Sequence, residues 1–557
     1  MDKVCKQCGE TFPFSEDDLA MLKKFTSEFA GQKFEMPEPT FCVDCRAQRR
    51  LAFLNQINLF RRKCDATGVD MVSNYPSNNP TKVYEQLYWY SDKWDALDYG
   101  KDFNENESFF EQMYELQLKV PVPALFTDYL HDENCEYTHC AGKNKNCYMI
   151  FDSDENWNLY YCYGVNGSKD SLDCYRGQKL ELCYEVIDSN NCYKCAYTYN
   201  SSNCSESLFL NNCTGCRNCI YCSNLVNKQY HVFNENVGKE RYEEIMKGFG
   251  SHEFLIDKIP QFEKFKLTFP QKYMRGVQNE NVIGNHVINS KNAYYCFDSM
   301  NLWDCRYCYQ AFISAKDSMD IQESGGCELN YETVNCAYNV YNAFSCFQCM
   351  DNCNNLKYCI QCQGCSNCFG CVGLKRKKYC ILNKQYTPEE YEQLVAKIIK
   401  HMMTAGEYGE FFPIHYSSFG YNLTTAQEYF PLTKEEALAK GFKWYDIGKK
   451  EYQPATFELP DNIADVQPEI IKELLACEDC GRNYKIIEQE LKLHQTLNLP
   501  LPRKCFYCRN LNRIKYRTPR KLYDRQCAKC SADLKTAYAP DRPEIIYCEK
   551  CYVENVF

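Results

Sequence analysis

Residues 359 to 380 read CIQCQGCSNCFGCVGLKRKKYC, with a cysteine at nearly every third position. On a flat β-strand, residues three apart point to opposite faces, so either the chain turns between these cysteines or some thiols face outward. The stretch is one of two. Cys213, Cys216, Cys219 and Cys222 match Cys362, Cys365, Cys368 and Cys371 at a constant offset of 149, and Asn234 and Tyr242 match Asn383 and Tyr391. Upstream, FDSDENWNLYYCY from Phe151 matches FDSMNLWDCRYCY from Phe297, and KDSLD from Lys169 matches KDSMD from Lys316. Two copies of one module therefore run over residues 135 to 249 and 284 to 402.

Within each copy, cysteines also recur at a spacing of nine, as at Cys174, Cys183 and Cys192, at Cys204, Cys213 and Cys222, and at Cys353, Cys362, Cys371 and Cys380. An asparagine often precedes the thiol, as at Asn191, Asn203, Asn212, Asn335 and Asn352. A short repeat with turn residues at fixed places, and Tyr and β-branched residues between them, suits a solenoid of short parallel strands in which each coil stacks only on its neighbours. Two such units per turn predict a rung of about 18 residues. The expected fold is thus mostly β: a duplicated cysteine-rich parallel β-solenoid, β-helix-like, flanked by small zinc-ribbon domains and short helices.

Each copy closes with a helix that would cover the open strand edge. TPEEYEQLVAKIIKHM has Thr387 as N-cap, Pro388 at N1 and Glu390 completing a capping box, and KERYEEIMKGF is its shorter counterpart. Phe109, Met113 and Leu116 suggest a further helix, and FPLTKEEALAKGFKW another, with Thr433 as N-cap, Glu436 at N3 and Gly441 as C′. The chain divides into an N-terminal ribbon with a helical insert (1–63), a degenerate ribbon and aromatic linker (64–130), the first copy (131–283), the second copy (284–403), a connecting α/β segment (404–470) and two C-terminal ribbons (471–557).

The chain holds 40 cysteines among 557 residues. Disulfide scaffolds of such density are short secreted domains, whereas this chain is long, starts MDKVCKQCGE without an apolar leader core, and has no run of 18 apolar residues. A cytoplasmic address, reduced thiols and no membrane partner are the expectation. Thirteen cysteines lie toward the two ends, and most fall in CxxC pairs. Two such knuckles close one tetrahedral zinc site, and three sets fit: Cys5, Cys8, Cys42 and Cys45; Cys477, Cys480, Cys505 and Cys508; Cys527, Cys530, Cys548 and Cys551. The long gap in the first set is filled by SEDDLAMLKKFTSEF, a helix with Ser15 as N-cap and Asp18 at N3. Four protein ligands leave no open position for water, so about three structural zinc ions are expected.

CGETF, FCVDCRAQRR, CEDCGRNY and RKCFYCRN resemble small zinc-ribbon modules of the type CxxCG…CxxCR, and YDRQCAKCSADLKTAYAPDRPEIIYCEKCY resembles the ribbon found beside them. With DKWDALDYG, NKQYTPEEY and FPLTKEEALAKGFKW between ribbons, the layout resembles an uncharacterised family of large cysteine-rich multi-zinc-ribbon proteins from uncultured bacterial lineages. One departure stands out. Where that family carries a ribbon after residue 63, Thr67, Glu85 and Tyr88 occupy thiol positions, which leaves Cys64 alone and implies a site without its metal.

The remaining cysteines admit two readings. As small, soft hydrophobes they would stack in an inward ladder. Alternatively, turned corners would bring Cys213, Cys216, Cys219 and Cys222, or Cys359, Cys362, Cys365, Cys368 and Cys371, close enough to bind zinc or, as the less favoured occupant, an iron–sulfur cluster. His139, Asp170 and Asp317 read as turn residues, and the duplicated Trp157 and Trp303 as packing anchors. No HExxH, GxxxxGK[ST], GxGxxG or GxSxG occurs.

Although the net charge is −10, basic residues cluster beside the ribbons. Arg46, Arg49, Arg50, Arg61, Arg62, Arg509, Arg513, Lys515 and Arg517 could grip a phosphate backbone, with RNA, DNA or a nucleoprotein as partner; the bland alternative is contact with the acidic remainder of the chain. The expected function is a noncatalytic zinc-binding interaction or scaffold protein, with a protein partner on the solenoid surface. The alternative is a redox or metal-handling protein, or an enzyme, that uses the central cysteines.

Overall fold

A computed structural model describes every residue except 129, 336, 337, 447, 449, 450 and 557. The chain is mostly β, with large parallel-rich sheets. One sheet has eight strands, from Trp157–Tyr160 to Glu235–Asn236, and another has eleven, from Gly276–Val277 to Lys384–Gln385; in each, strands follow chain order and pair in parallel except for a final hairpin. Sequence-adjacent strands in parallel, with no helix between them, require that the chain return to its starting side within a very short connection.

The backbone shows how it does so. From Asn134 to Phe233 every third residue has φ near +50°, with Gly164, Gly167 and Gly215 taking the same conformation where they fall in the series. A left-handed residue at each third position bends the chain once per triplet. Four triplets bring it back, since Trp157 pairs with Lys169, Tyr184 with Ala196 and Leu208 with Ile220, each twelve residues on. The expected repeat of about 18 residues is therefore corrected to twelve. The spacing of nine is three triplets, not half a turn.

Left-handed backbone costs a non-glycine residue about 1–2 kcal/mol, least for Asn and Asp, whose short side chains bond locally. This explains the asparagines before the cysteines: Asn191, Asn203, Asn212, Asn335 and Asn352 all have positive φ. The residue after each bend points inward. Cys174, Cys183, Cys192, Cys195, Cys204, Cys213, Cys216, Cys219 and Cys222 are all buried, as are Val165, Ser171, Leu180, Val186, Ser189, Thr198, Ser201, Ser207 and Leu210 in the same triplet phase. Only small or slender side chains fit there. The second copy follows the same rule less evenly. Its parallel register steps by 13 at Cys327↔Val340 and Tyr341↔Asn354, where consecutive left-handed residues, Tyr338–Asn339 and Asp351–Asn352, add one residue to the bend.

Duplicated residues close both copies. Asn234 accepts from the Ser223 N–H at 2.9 Å and donates to its carbonyl at 2.8 Å; Asn383 does the same to Val372, with both bonds at 2.8 Å. A side-chain amide thus satisfies a backbone pair that the next strand would have taken. Beyond it lie the helices Gly238–Lys247 and Pro388–Ala405, the second opened by the Thr387–Glu390 capping box, and Tyr242 and Tyr391 pack at 5.7 Å on Tyr230 and Tyr379. The other expected helices are found at Glu16–Lys24, Phe109–Lys119 and Lys434–Ala439. Among the described residues, no helix is long and apolar enough to cross a membrane.

Candidate metal centres

The three expected sets each gather at one point. In Cys5/Cys8/Cys42/Cys45, Cys477/Cys480/Cys505/Cys508 and Cys527/Cys530/Cys548/Cys551, all four sulfurs lie within 4.8 Å of one another. The first half of each set is a tight turn closed by a left-handed residue, in which the N–H of Gly9, Gly481 or Ser531 donates to the carbonyl of Cys5, Cys477 or Cys527 at 2.8–2.9 Å. The second half begins a helix: Val43–Leu51, Phe506–Ile514 or Glu549–Val556. Desolvation opposes ionisation of Cys477 and Cys527, but backbone N–H groups, led by Cys505 at the first and Cys548 at the second, bring them down to about 7 and about 6. The thiolate, the species a metal takes, is therefore favoured at Cys477 and Cys527, while burial raises Cys8 in the first turn.

A fourth knuckle keeps the backbone and lacks the ligands. At Cys64, the hairpin Phe60–Lys63/Asp70–Ser73 repeats Tyr523–Gln526/Asp533–Thr536, and Gly68 donates to the Cys64 carbonyl at 2.9 Å as Ser531 does to Cys527. The Glu85 N–H reaches Cys64 Sγ at 3.3 Å, as the Cys548 N–H reaches Cys527 Sγ at the same distance. Where the four-thiol knuckle sets Cys530 Sγ 3.7 Å from Cys548 Sγ, Thr67 Oγ1 donates to Glu85 Oε1 at 2.8 Å. Of the four positions that match Cys527, Cys530, Cys548 and Cys551, Cys64 and Glu85 keep metal-ligating side chains.

These modules dock on the sheets through their basic helices. Arg46 Nε lies 2.8 Å from Asp320, and Arg50 spans Asp320 at 3.1 Å and Glu332 at 3.3 Å. Arg49 bridges Glu332 and Glu410, both at 3.0 Å. In the second ribbon, Arg509 meets Asp173 at 2.9 Å and Glu490 at 3.2 Å, while Arg513 meets Asp173 at 2.7 Å and Glu185 at 2.8 Å. Asp173 and Asp320 are the last residues of the duplicated KDSLD and KDSMD, and Glu185 and Glu332 follow each by twelve, one turn on. Each copy thus presents one Asp–Glu pair to one ribbon's arginines, but the partners are crossed: the N-terminal ribbon sits on the second copy and the ribbon at 477–508 on the first.

The other two knuckles take the remaining places. Val83–Tyr84 of the knuckle at Cys64 pairs in parallel with Val122–Pro123, ahead of the first copy; Ile546–Tyr547 pairs with Gln271–Lys272, ahead of the second and 149 residues on. Both tandem modules therefore span both copies.

This geometry corrects the reading of the basic runs. Arg46, Arg49, Arg50, Arg509, Arg513 and Arg517 are buried and held by carboxylates, Arg517 by Glu428 at 3.2 Å. Charges already neutralised inside the protein are not offered to phosphate. Lys515 and Arg61 stay exposed, although Arg61 donates to Tyr137 Oη, and Arg62 is half-buried against Asp65. Sequence alone offered one pointer, since both clusters follow a CxxC and an acidic pair recurs in the duplicated copies; the bland alternative of intramolecular contact describes these six.

The central candidates do not gather like the terminal ones. Among the described residues, Cys213, Cys216, Cys219, Cys222, Cys359, Cys362, Cys365, Cys368 and Cys371 enter no compact set of three or more metal-ligating atoms. Each occupies the inward place of its own triplet, so consecutive thiols approach the axis from successive sides. Their S–H groups point at backbone carbonyls: Cys213 Sγ lies 3.5 Å from the Asn211 oxygen and Cys362 Sγ 3.6 Å from that of Ile360. No disulfide forms among the described residues. Burial pushes Cys174 and Cys362 well up, whereas hydrogen bonds from neighbouring thiols lower Cys216 and bring Cys365 down to about 4, and they lower Cys359 despite its desolvation.

Three smaller expectations also change. His139 is not a turn residue but lies buried in the strand His139–Gly142, where its Nδ1 accepts from the Phe126 N–H at 3.1 Å and Asn74 lies 3.2 Å from Nε2. Asp317 is paired with Lys24 rather than free in solvent. Trp157 and Trp303 are not packing anchors, since they expose 59% and 39% of their surface.

No family model matches the chain. Nor does any curated protein. Among solved structures, the chain is similar to the crystal structure of a "putative acetyltransferase" from Desulfovibrio desulfuricans G20, at 12% identity over 50% of this chain and 81% of that one; the TM-score is 0.10, too low to carry an argument about fold.

Proposed function

We propose that this protein is a noncatalytic scaffold in which tandem zinc ribbons brace a duplicated β-solenoid. The solenoid reading is supported by the twelve-residue parallel register, the bend at every third residue and the inward small side chains. Zinc is favoured because a tetrahedron with Zn–S bonds near 2.3 Å has sulfur–sulfur edges of about 3.8 Å, and the Cys8–Cys42, Cys480–Cys505 and Cys530–Cys548 separations are 3.9, 3.7 and 3.7 Å. Sets filled entirely by protein thiols leave no place for a reacting water, which favours structure over catalysis.

The observation that carries the proposal is the crossed docking of arginines onto the Asp–Glu pairs, because it makes each ribbon a part of the wall rather than a free reader of nucleic acid. The redox or enzyme alternative is less favoured because the central thiols face inward. A nucleic-acid role would fall to the exposed Arg61 and Lys515. Protein purified without oxygen should contain three zinc ions per chain, and two after Cys480→Ser. Iron with labile sulfide, or zinc below one per chain, would overturn the reading.

A further inference from the structure

Each copy carries one outward column in which Glu, Lys, Trp, Lys, Glu and Tyr follow one another in parallel register. In the first copy these are Glu133, Lys145, Trp157, Lys169, Glu181 and Tyr193. In the second they are Glu280, Lys291, Trp303, Lys316, Glu328 and Tyr341. The six residues recur in the same order although turn lengths differ between the copies. Packing does not demand this, because Trp157, Trp303 and Tyr341 are exposed.

The lysines leave the indoles uncovered. Lys145 turns back to Glu133 at 2.8 Å and Lys169 forward to Glu181 at 3.0 Å; Lys291 and Lys316 repeat this with Glu280 at 2.9 Å and Glu328 at 3.0 Å. Trp157 and Trp303 stay exposed, while Lys194 Nζ lies over the Tyr193 ring at 5.7 Å. Beside the Trp column runs a ladder of polar side chains. Asn134, Asn146, Asn158 and Asp170 bond in sequence at 2.9, 3.3 and 2.8 Å; Asn281, Asn292 and Asp304 do so at 3.0 and 2.9 Å. Each amide spends one N–H along the ladder and keeps further donor and acceptor capacity for a ligand.

From these features we infer that the Trp157 and Trp303 faces bind a neutral glycan chain. The uncovered indole offers an apolar platform to the C–H face of a sugar ring, and the amide and carboxylate ladder beside it meets the hydroxyls. Three strand steps separate Trp157 from Tyr193, and Trp303 from Tyr341, or about 14 Å at the usual strand spacing, which suits an extended oligomer touching two platforms. Charge decides against nucleic acid. On the first face, Lys145 and Lys169 balance Glu133 and Glu181, and Lys194, 5.7 Å from the Tyr193 ring centre, balances Asp170, which leaves no positive excess on a chain of net charge −10. Stacking of bases without a positive track for the phosphates would be opposed by the local potential.

The test uses the full chain in native gels cast with a soluble β-glucan, a galactomannan or glycogen. Retarded migration is expected with at least one of these. The Trp157→Ala, Trp303→Ala double variant should bind at least tenfold more weakly with unchanged melting temperature and metal content, since both side chains lie at the surface. In the unmodified protein, polymer should shift tryptophan emission to shorter wavelength. Unaltered migration in all three gels overturns the inference. So does retardation by poly(U) that the double variant abolishes, or retardation by glycan that it leaves intact.

Discussion

The knuckles at Cys64 and Cys527 share a hairpin, a left-handed closing residue, an N–H to sulfur contact and a docking strand, yet only one has four thiols. The difference separates what the knuckle's backbone needs from what a bound ion would supply. At Cys527 the two halves meet through the Ala528 N–H to the Ile546 carbonyl at 2.9 Å and the exposed Lys529–Glu554 pair at 3.4 Å, and without a metal the four thiols add only weak sulfur contacts. At Cys64 the halves are joined by the Thr67–Glu85 hydrogen bond and by the Val83 N–H to Asp65 Oδ2 at 2.7 Å, and Trp89, fully buried, donates from its indole to the Pro121 carbonyl at 2.9 Å. Aromatic packing and hydrogen bonds to carboxylates take over from coordination.

Metal removal should break the comparison most widely. Structural zinc contributes on the order of 10 kcal/mol to its module, so a chelator should abolish amide protection in 523–556 while 60–89 stays protected in hydrogen exchange. Equal loss in both would show that the Cys64 knuckle does not stand by itself. The converse experiment restores the ligands: Thr67→Cys, Glu85→Cys and Tyr88→Cys together should raise the metal content from three to four ions per chain by elemental analysis.

Loss of docking should have the next largest effect. Arg50→Ala would leave the buried Asp320 and Glu332 with fewer counter-charges and should destabilise the N-terminal ribbon by about 3–5 kcal/mol, measured by denaturant unfolding. Lys515→Ala, with no buried partner, should change nothing measurable.

Acid should distinguish the modules more gently. Burial lowers His139, beside the Cys64 knuckle, to about 3 and His494, in the helix between the knuckles at Cys477 and Cys505, to about 4, from 6.5. Both are neutral when folded, so the unfolded chain binds the extra protons and stability falls as pH drops below about 6.5, by roughly 1.4 kcal/mol per unit for each histidine. At pH 5 the two together should cost about 4 kcal/mol. His139→Gln should halve that slope in thermal melts; an unchanged slope would remove His139 from the account. Smallest of all, Thr67→Val should cost about 1 kcal/mol, the net worth of one exposed hydrogen bond.

Much of this molecule was legible in its sequence where a local rule applied. The capping boxes at Ser15, Thr387 and Thr433 announced their helices, and the CxxC spacing located all three candidate centres. The repeat length was not legible from the cysteines because all sides of a turn place their inward residue at the same triplet phase, so a thiol marks the phase and not the side. Asn191 and Asn203 did mark the bends, but a bend at every third residue is visible only once φ is known. The fate of Arg50 or Arg513 depends on Asp320 and Asp173, hundreds of residues away, and no periodicity near the arginines carries that information.

The crossed docking has a consequence for how the chain is made. The Asp173 and Glu185 carboxylates of the first copy meet Arg513 only after 328 further residues from Glu185 have left the ribosome, and Arg50 of the first ribbon waits 282 residues for Glu332. A nascent chain therefore carries two incomplete charge sets through most of its synthesis, and its first half is sealed by its last segment.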